Sequence, residues 1–152
     1  MLRRGGRTDA APVRDEPVGD EHWGPPPPSS PGSEWRLPDD LGRRYAAVSG
    51  DRNPIHLHAL TARPLGFPRA IAHGMWTKAR CLAALEQRLP SAFTVDVRFR
   101  RAILLPATVG FRSVAEDEAI RFWVQDASSD RSHLDGRVQP IGDTAEQGEQ
   151  HK

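Results

Sequence analysis

Between Tyr45 and His56 the chain reads Tyr-Ala-Ala-Val-Ser-Gly-Asp-Arg-Asn-Pro-Ile-His, which sets an acid, a carboxamide and an imidazole close together as Asp51, Asn53 and His56. A carboxylate accepts hydrogen bonds, and a neutral imidazole has one donating and one accepting nitrogen. Side by side, Asp51 and His56 can therefore hold a water molecule and move a proton to or from it. Asn53 can fix the carboxylate or the ring. The same residue types also build ordinary tight loops, so their spacing alone leaves both readings open. Further on, His73-Gly74-Met75 opens a predicted helix. Free N–H groups at a helix start can stabilise an oxyanion, and glycine lets a ligand approach closely; a glycine there can equally just admit a sharp helix entry.

The elements that must position these groups are legible from periodicity. After Pro38, Leu41, Tyr45 and Val48 recur at helical spacing, with Asp39 and Asp40 in the first turn, where acidic groups suit the helix dipole. Ser49-Gly50-Asp51 ends that helix, and residues 57–65 form a short one broken around Pro64 and Gly66. The strongest helix runs from Gly74 to Leu89, stopped by Pro90, with Met75, Ala79, Leu82, Leu85 and Leu89 on one face. Cys81, Ala83 and Ala84 widen its apolar surface, so burial on more than one side is expected. The period then changes. Phe93, Val95, Val97 and Phe99 alternate with polar residues as in a half-buried strand. Residues 108–115 and 119–127 read as two more strands across the acidic turn Glu116-Asp117-Glu118, and 134–138 as a weak last one. A long helix followed by successive antiparallel strands is an α+β pattern.

Composition bounds the folding unit. From Arg36 to Gln125, 44 of 90 residues are apolar, as in a globular core; the other 62 hold only 13. The division predicted is a Pro/Gly-rich disordered tail over 1–34, a domain over 35–140 and a disordered tail over 141–152. The first tail carries PPPPSSPGS, which favours polyproline II and does not pair into a sheet. Trp23 reads as an isolated aromatic and Trp35 as a packed one. Apolar runs are far too short to span a bilayer, the basic N-terminus has no hydrophobic stretch after it, and a lone Cys81 forms no internal disulfide. Cytoplasmic localisation is the expectation. Between Arg36 and Gln125, 14 Lys/Arg stand against 8 Asp/Glu. That excess of +6 suits an anionic, phosphate-bearing ligand. Nucleic acid is not expected, because the basic residues are not interleaved with stacking aromatics.

The run SGDRNPIH, followed by GFPRAIAHGM and then VDVRFRRAILLPATV, resembles the MaoC-like or hydratase 2 family, and most closely the C-terminal half of two-hotdog actinobacterial dehydratases. The resemblance implies a single hotdog, an antiparallel sheet wrapped around the long helix. It also implies interconversion of trans-2-enoyl and (R)-3-hydroxyacyl thioesters. Asp51 and His56 match the catalytic dyad, Asn53 the residue that orders it, and Gly74 the backbone donor to the thioester oxygen. Beside these, Met75 and Trp76 read as core or acyl-tunnel lining, and His73 and Met75 are expected at the substrate, although His58 and His73 each read first as structural histidines. Arg98, Arg100 and Arg101 form a basic strand end, solvated or in contact with a carrier phosphate. Cys81 is a packing thiol and Trp123 a strand core residue. No metal and no redox cofactor are implied; coenzyme A or acyl carrier protein carries the acyl group. A lone hotdog is expected to pair as a homodimer or with another hotdog subunit. A non-catalytic subunit and an acyl-thioesterase are the rival readings.

Overall fold

The computed structural model of the chain describes residues 24–142, Ser29 apart. Within them, β1 (Gly32–Leu37), β2 (Phe93–Phe99), β3 (Ala107–Glu116), β4 (Ala119–Asp126) and β5 (Ser132–Pro140) form one antiparallel sheet in the order β1-β3-β4-β5-β2. Between β1 and β2 come α1 (Leu41–Ser49), α2 (Ala59–Ala62) and α3 (Gly74–Leu85), with 3-10 turns at Pro54–His56, Arg63–Leu65 and Glu86–Arg88. Asp117, at φ 53°, makes the tight β3–β4 turn that the acidic triplet predicts.

The core joins α3 to the sheet. Cys81 and Leu85 cluster with Trp35, Leu37, Phe111, Phe122, Val124, Leu134 and Val138. Two close fits set the spacing. Trp35 stacks on Phe111 with ring centroids 5.0 Å apart, and a Cβ at Gly136 would stand 2.1 Å from the Phe122 ring. The expected α+β architecture, a sheet with one long helix packed in its core, is the one found.

Several local expectations differ. On α3 the buried residues are Thr77, Cys81 and Leu85, one row at spacing four, while Met75 is 59% exposed and Ala79 also faces outward. The helix is thus covered on one side, and it tightens into a 3-10 turn after Leu85 rather than continuing to Leu89. Alanines and other small residues fall on several sides of this helix, so its apolar pattern has no sharp phase. Contacts with the sheet choose the face, and Arg80 lying 4.4 Å above the Trp35 ring marks the side of the helix beside β1. On α1, Leu41, Gly42 and Ala46 are buried and Val48 is 86% exposed; Asp40 precedes the helix at its N-cap.

The ordered unit also begins before Trp35. Gly32 and Ser33, inside the stretch expected not to pair, register against Arg112 and Phe111. The Gly24 carbonyl accepts hydrogen bonds from Trp123 Nε1 (2.9 Å) and Arg121 Nη2 (3.2 Å), which ties the start of the proline run to β4. Trp23, the rest of the first 23 residues, and residues 143–152 of the expected C-terminal tail lie outside the described residues. The strand expected to be weak is nine-residue β5, placed between β4 and β2 with Leu134 and Val138 buried. No helix among the described residues is long and apolar enough to cross a membrane.

If the inward row of α3 is Thr77-Cys81-Leu85, truncating Leu85 to Ala lowers unfolding free energy by about 2–5 kcal/mol. Met75→Ala shifts it by less than about 0.5 kcal/mol. Urea unfolding followed by circular dichroism checks both; equal losses would return the face to its predicted phase.

Candidate active site

His56 sits at the end of the Pro54–His56 turn. Proline at the first position suits that turn, and the Asn53 side chain caps it by accepting the Ile55 N–H at 3.3 Å. From the other side α1 presses on the turn: a Cβ at Gly42 would lie 1.7 Å from the His56 carbonyl oxygen, so only glycine permits the approach. The imidazole is buried, and its Nδ1 lies 2.7 Å from the Ile71 carbonyl. A carbonyl can only accept, so Nδ1 carries the proton and the neutral ring keeps its lone pair on Nε2. Burial pushes the His56 pKa below its ordinary value. The Ile71 hydrogen bond opposes that shift, His73 adds to it, and Asp51 opposes it.

Asp51 follows α1 after Gly50, which ends that helix in the left-handed region at φ 79°. Its Oδ1 accepts the Asn53 N–H at 3.2 Å, and its side chain is 54% exposed. Asn53 therefore orders both partners through the backbone: its N–H holds the carboxylate and its side chain caps the turn that carries His56. The contact with the acid is the expected one, made by the backbone N–H and not by the carboxamide, which caps the turn.

His73 lies behind the dyad. Its ring stacks on His56 with centroids 3.8 Å apart and meets Tyr45 edge-on at 4.7 Å. Its Nε2–H donates to the Asp51 backbone carbonyl at 3.0 Å, and its buried Nδ1 has no partner. At 3% exposure His73 is buried, and it braces Asp51 and His56 from behind, as a structural histidine does. Asp51, His56 and His73 bring one ligand atom each within 4.8 Å of one another.

Gly74 is the first residue of α3, where an α-helix leaves its leading N–H groups without internal partners. A Cβ there would stand 3.0 Å from Phe99 Cε1, so Phe99 overhangs the helix start. Alternation had turned Phe99 inward; it is 53% exposed and belongs to the rim of the site with Met75. Arg100 is exposed and its Nε donates at 2.7 Å to Asp135, a buried carboxylate that also accepts from Ser132 Oγ. Arg98 is half-buried on β2 opposite Asp135. His58 accepts from Arg43 at the start of α2, away from the dyad, as a structural histidine does. Cys81 is fully buried, its thiol pushed up to about 12 by burial, which fits packing and not nucleophilic attack.

The dyad loop, the capped turn and the glycine-led helix start all lie in the stretch that the family model for the MaoC like domain matches, residues 29–135. The chain belongs to the MaoC-like family. It is 39% identical over 122 residues to 3-hydroxyacyl-thioester dehydratase X of Mycobacterium tuberculosis, an alignment covering 76% of this chain and 44% of that protein. With the (R)-specific enoyl-CoA hydratase of Aeromonas caviae it shares 35% identity over 74 residues, 49% of this chain and 55% of the relative. The crystal structure of HtdX from Mycobacterium tuberculosis superimposes with a TM-score of 0.69 at 39% identity, covering 72% of this chain and 47% of that one. The MaoC-like chain thus spans about half the length of these relatives.

Two outcomes follow for the bracing of His56. Its pKa is lower in the folded chain than the ordinary 6.5, so the unfolded state binds protons more readily. The stability this provides is present above about pH 6.5 and is lost as pH falls below it; His133, lowered chiefly by burial, acts in the same direction. Urea midpoints measured from pH 7.5 down to 5 should fall, and fall less steeply in His56→Gln. Gly42→Ala, forced against the His56 carbonyl, should both destabilise the fold and abolish the 3.8 Å ring stack. A wild-type midpoint and unchanged histidine ring chemical shifts by NMR would contradict this.

Proposed function

We propose that this protein is the dyad-bearing hotdog of a hydratase/dehydratase that interconverts trans-2-enoyl and (R)-3-hydroxyacyl thioesters. The observation that carries the reading is the fixed tautomer of His56: a buried ring with Nδ1–H tied to Ile71, Nε2 left as a base, and the Asp51 carboxylate in the same loop. The names of the relatives support the reaction class.

In hydration, the thioester carbonyl draws electrons from the conjugated double bond and its oxygen lies at the start of α3. Water sits between Asp51, which accepts one O–H, and His56 Nε2, which takes the proton of the other. The oxygen bonds to the β-carbon, the α,β double bond opens, and the electron pair moves to the thioester oxygen, where the Gly74 N–H and the helix dipole stabilise it. Losing such a donor costs on the order of 3–4 kcal/mol. The imidazolium then returns its proton to the α-carbon. One water is consumed, its hydroxyl going to the β-carbon and a proton to the α-carbon. Dehydration reverses each step. The residues supply acid, base and oxyanion donor themselves, so the reading routes no step through a metal or redox cofactor.

A hotdog partner belongs to this reading. Asp51, Met75 and Phe99 stand exposed around Gly74, and β2 is an edge of the sheet among the described residues. A second copy, or another hotdog unit, would cover this rim and complete the acyl pocket. A non-catalytic role in such an assembly is the second reading, favoured by the exposure of the Asp51 carboxylate. A buried free thiol at Cys81 suits the reducing cytosol.

Loss of the enoyl-thioester absorbance with crotonyl-CoA tests the activity, with size-exclusion mass determined on the same sample. Asp51→Asn and His56→Gln should each lower kcat by at least about 100-fold in chains that still melt cooperatively. His73→Gln should lower it less and displace the acidic limb of the pH–rate profile. Turnover that survives both dyad substitutions would refute the mechanism, and a stable dimer with no turnover on any chain length would leave the non-catalytic reading.

A further inference from the structure

The excess positive charge of the core has structural employment for several of its arginines. Arg43 binds the Leu57 carbonyl, Arg44 pairs with Asp40, Arg80 covers Trp35, Arg88 reaches Ser113, and Arg100 and Arg121 pair with Asp135 and Glu116. Arg69 and Arg101 have no such work. Together with Arg131 they line one groove of about 610 Å³, and none of the three makes a side-chain hydrogen bond or salt bridge among the described residues.

Three segments build the groove: residues 67–69, the loop from Arg101 to Thr108, and the turn from Asp126 to His133. Half-buried Phe67 and Leu104 give it an apolar wall. One carboxylate lines it, Asp126, whose Oδ1 is turned into its own loop and accepts both the N–H and the hydroxyl of Ser128 at 2.8 Å. His133 donates from Nδ1 to the Arg101 carbonyl at 3.3 Å and so ties the β5 side of the groove to the Arg101 loop. The volume falls within the ~300–1,000 Å³ of small-molecule sites. Three guanidiniums around a concavity present the forked donors that phosphate oxygens take in pairs.

The groove connects to the dyad through the backbone. Ala70, Ile71 and Ala72 run extended against Ile103, Leu104 and Leu105, with Ala72 N–H on the Ile103 carbonyl and Leu105 N–H on the Ala70 carbonyl. At ~3.3 Å per residue this ladder separates Arg69 from His73 by roughly 13 Å. One end opens on the groove and the other on the helix start, and the carbonyl at its centre holds His56. A flexible pantetheine arm spans such a distance.

We propose that the groove formed by Arg69, Arg101 and Arg131 binds the nucleotide phosphates of an acyl-coenzyme A whose thioester reaches the Asp51–His56 dyad. This rests on the hydratase/dehydratase reading for its acyl end only. A concave site with an apolar wall suits a nucleotide better than the broad, acidic surface of a carrier protein. Of the basic strand end Arg98, Arg100 and Arg101, for which the sequence suggested a phosphate contact, it keeps Arg101.

The test uses the full chain and the exposed charge reversals Arg69→Glu, Arg101→Glu and Arg131→Glu, singly and together, with Arg36→Glu on β1 as the control. Calorimetric titration with adenosine 3′,5′-bisphosphate and with coenzyme A needs no turnover. The triple variant should lose binding by at least about 30-fold, and wild-type affinity should fall as salt is raised. In turnover, the ratio of kcat/KM for crotonyl-CoA to that for crotonyl-N-acetylcysteamine should drop at least about tenfold in the triple variant and stay put in Arg36→Glu. Retained binding in a triple variant that melts like wild type overturns the proposal. So does an equal loss on both thioesters, or a loss seen only with an acyl carrier protein substrate. If the chain binds the nucleotide through these arginines and hydrates nothing, the groove stands and the reaction assigned to the dyad falls.

Discussion

The hydrogen bond from His56 Nδ1 to the Ile71 carbonyl, 2.7 Å long and buried, is the contact on which the site depends. It selects the tautomer, aims Nε2, and does so from a backbone atom that cannot rotate away. That carbonyl is itself fixed, because Ile71 bridges Leu104 and the flanking N–H and carbonyl groups of 70–72 and 103–105 are paired. A side-chain acceptor would lose rotamer freedom to do the same work; a strand-like ladder has already lost it.

Everything around the ring reinforces that setting. Gly42 lets α1 lie against the turn, Asn53 caps the turn, and His73 fills the space behind with its ring on His56 and its Nε2–H on the Asp51 carbonyl. The cost is a histidine nitrogen, Nδ1 of His73, buried without a partner. Orphaned buried polar atoms cost about 1–3 kcal/mol and concentrate where function requires a geometry that packing alone would not choose. The sheet supports this arrangement at a distance: Arg100 and Asp135 pin the end of β2 to β5, and Phe99, next to that pair, overhangs the Gly74 helix start.

Legibility differed between the two scales. Alternation over 93–99 and 107–126 marked strands because a half-buried sheet imposes a period of two that loops do not share. Asp51, Asn53, His56 and Gly74 were singled out because SGDRNPIH followed by HGM resembles the family's motifs; spacing alone left an ordinary loop and an ordinary helix entry open. Phe99 and Gly42 were not. Phe99 fits the inward alternation of its own strand, and a glycine in α1 looks like a weak helix position until another backbone is seen against it. The Arg100 ion pair was not legible either, because its partner Asp135 lies 35 residues away in a strand whose polar residues make it look thin.

The amino-acid sequence by itself determined the inventory: an acid, a base, a capped turn, a glycine-led helix and enough alternating apolar residues for one sheet. These are local properties, set by side-chain chemistry and by dihedral preferences of neighbours. Tertiary structure decided which nitrogen of His56 is free, which face of α3 is buried, and which arginines are occupied and which converge on a groove. Each of those outcomes depends on a partner distant in the chain, Ile71 for His56, Trp35 for Arg80 and Asp135 for Arg100. No periodicity records such a partner, because its position is fixed only when the sheet closes around the helix.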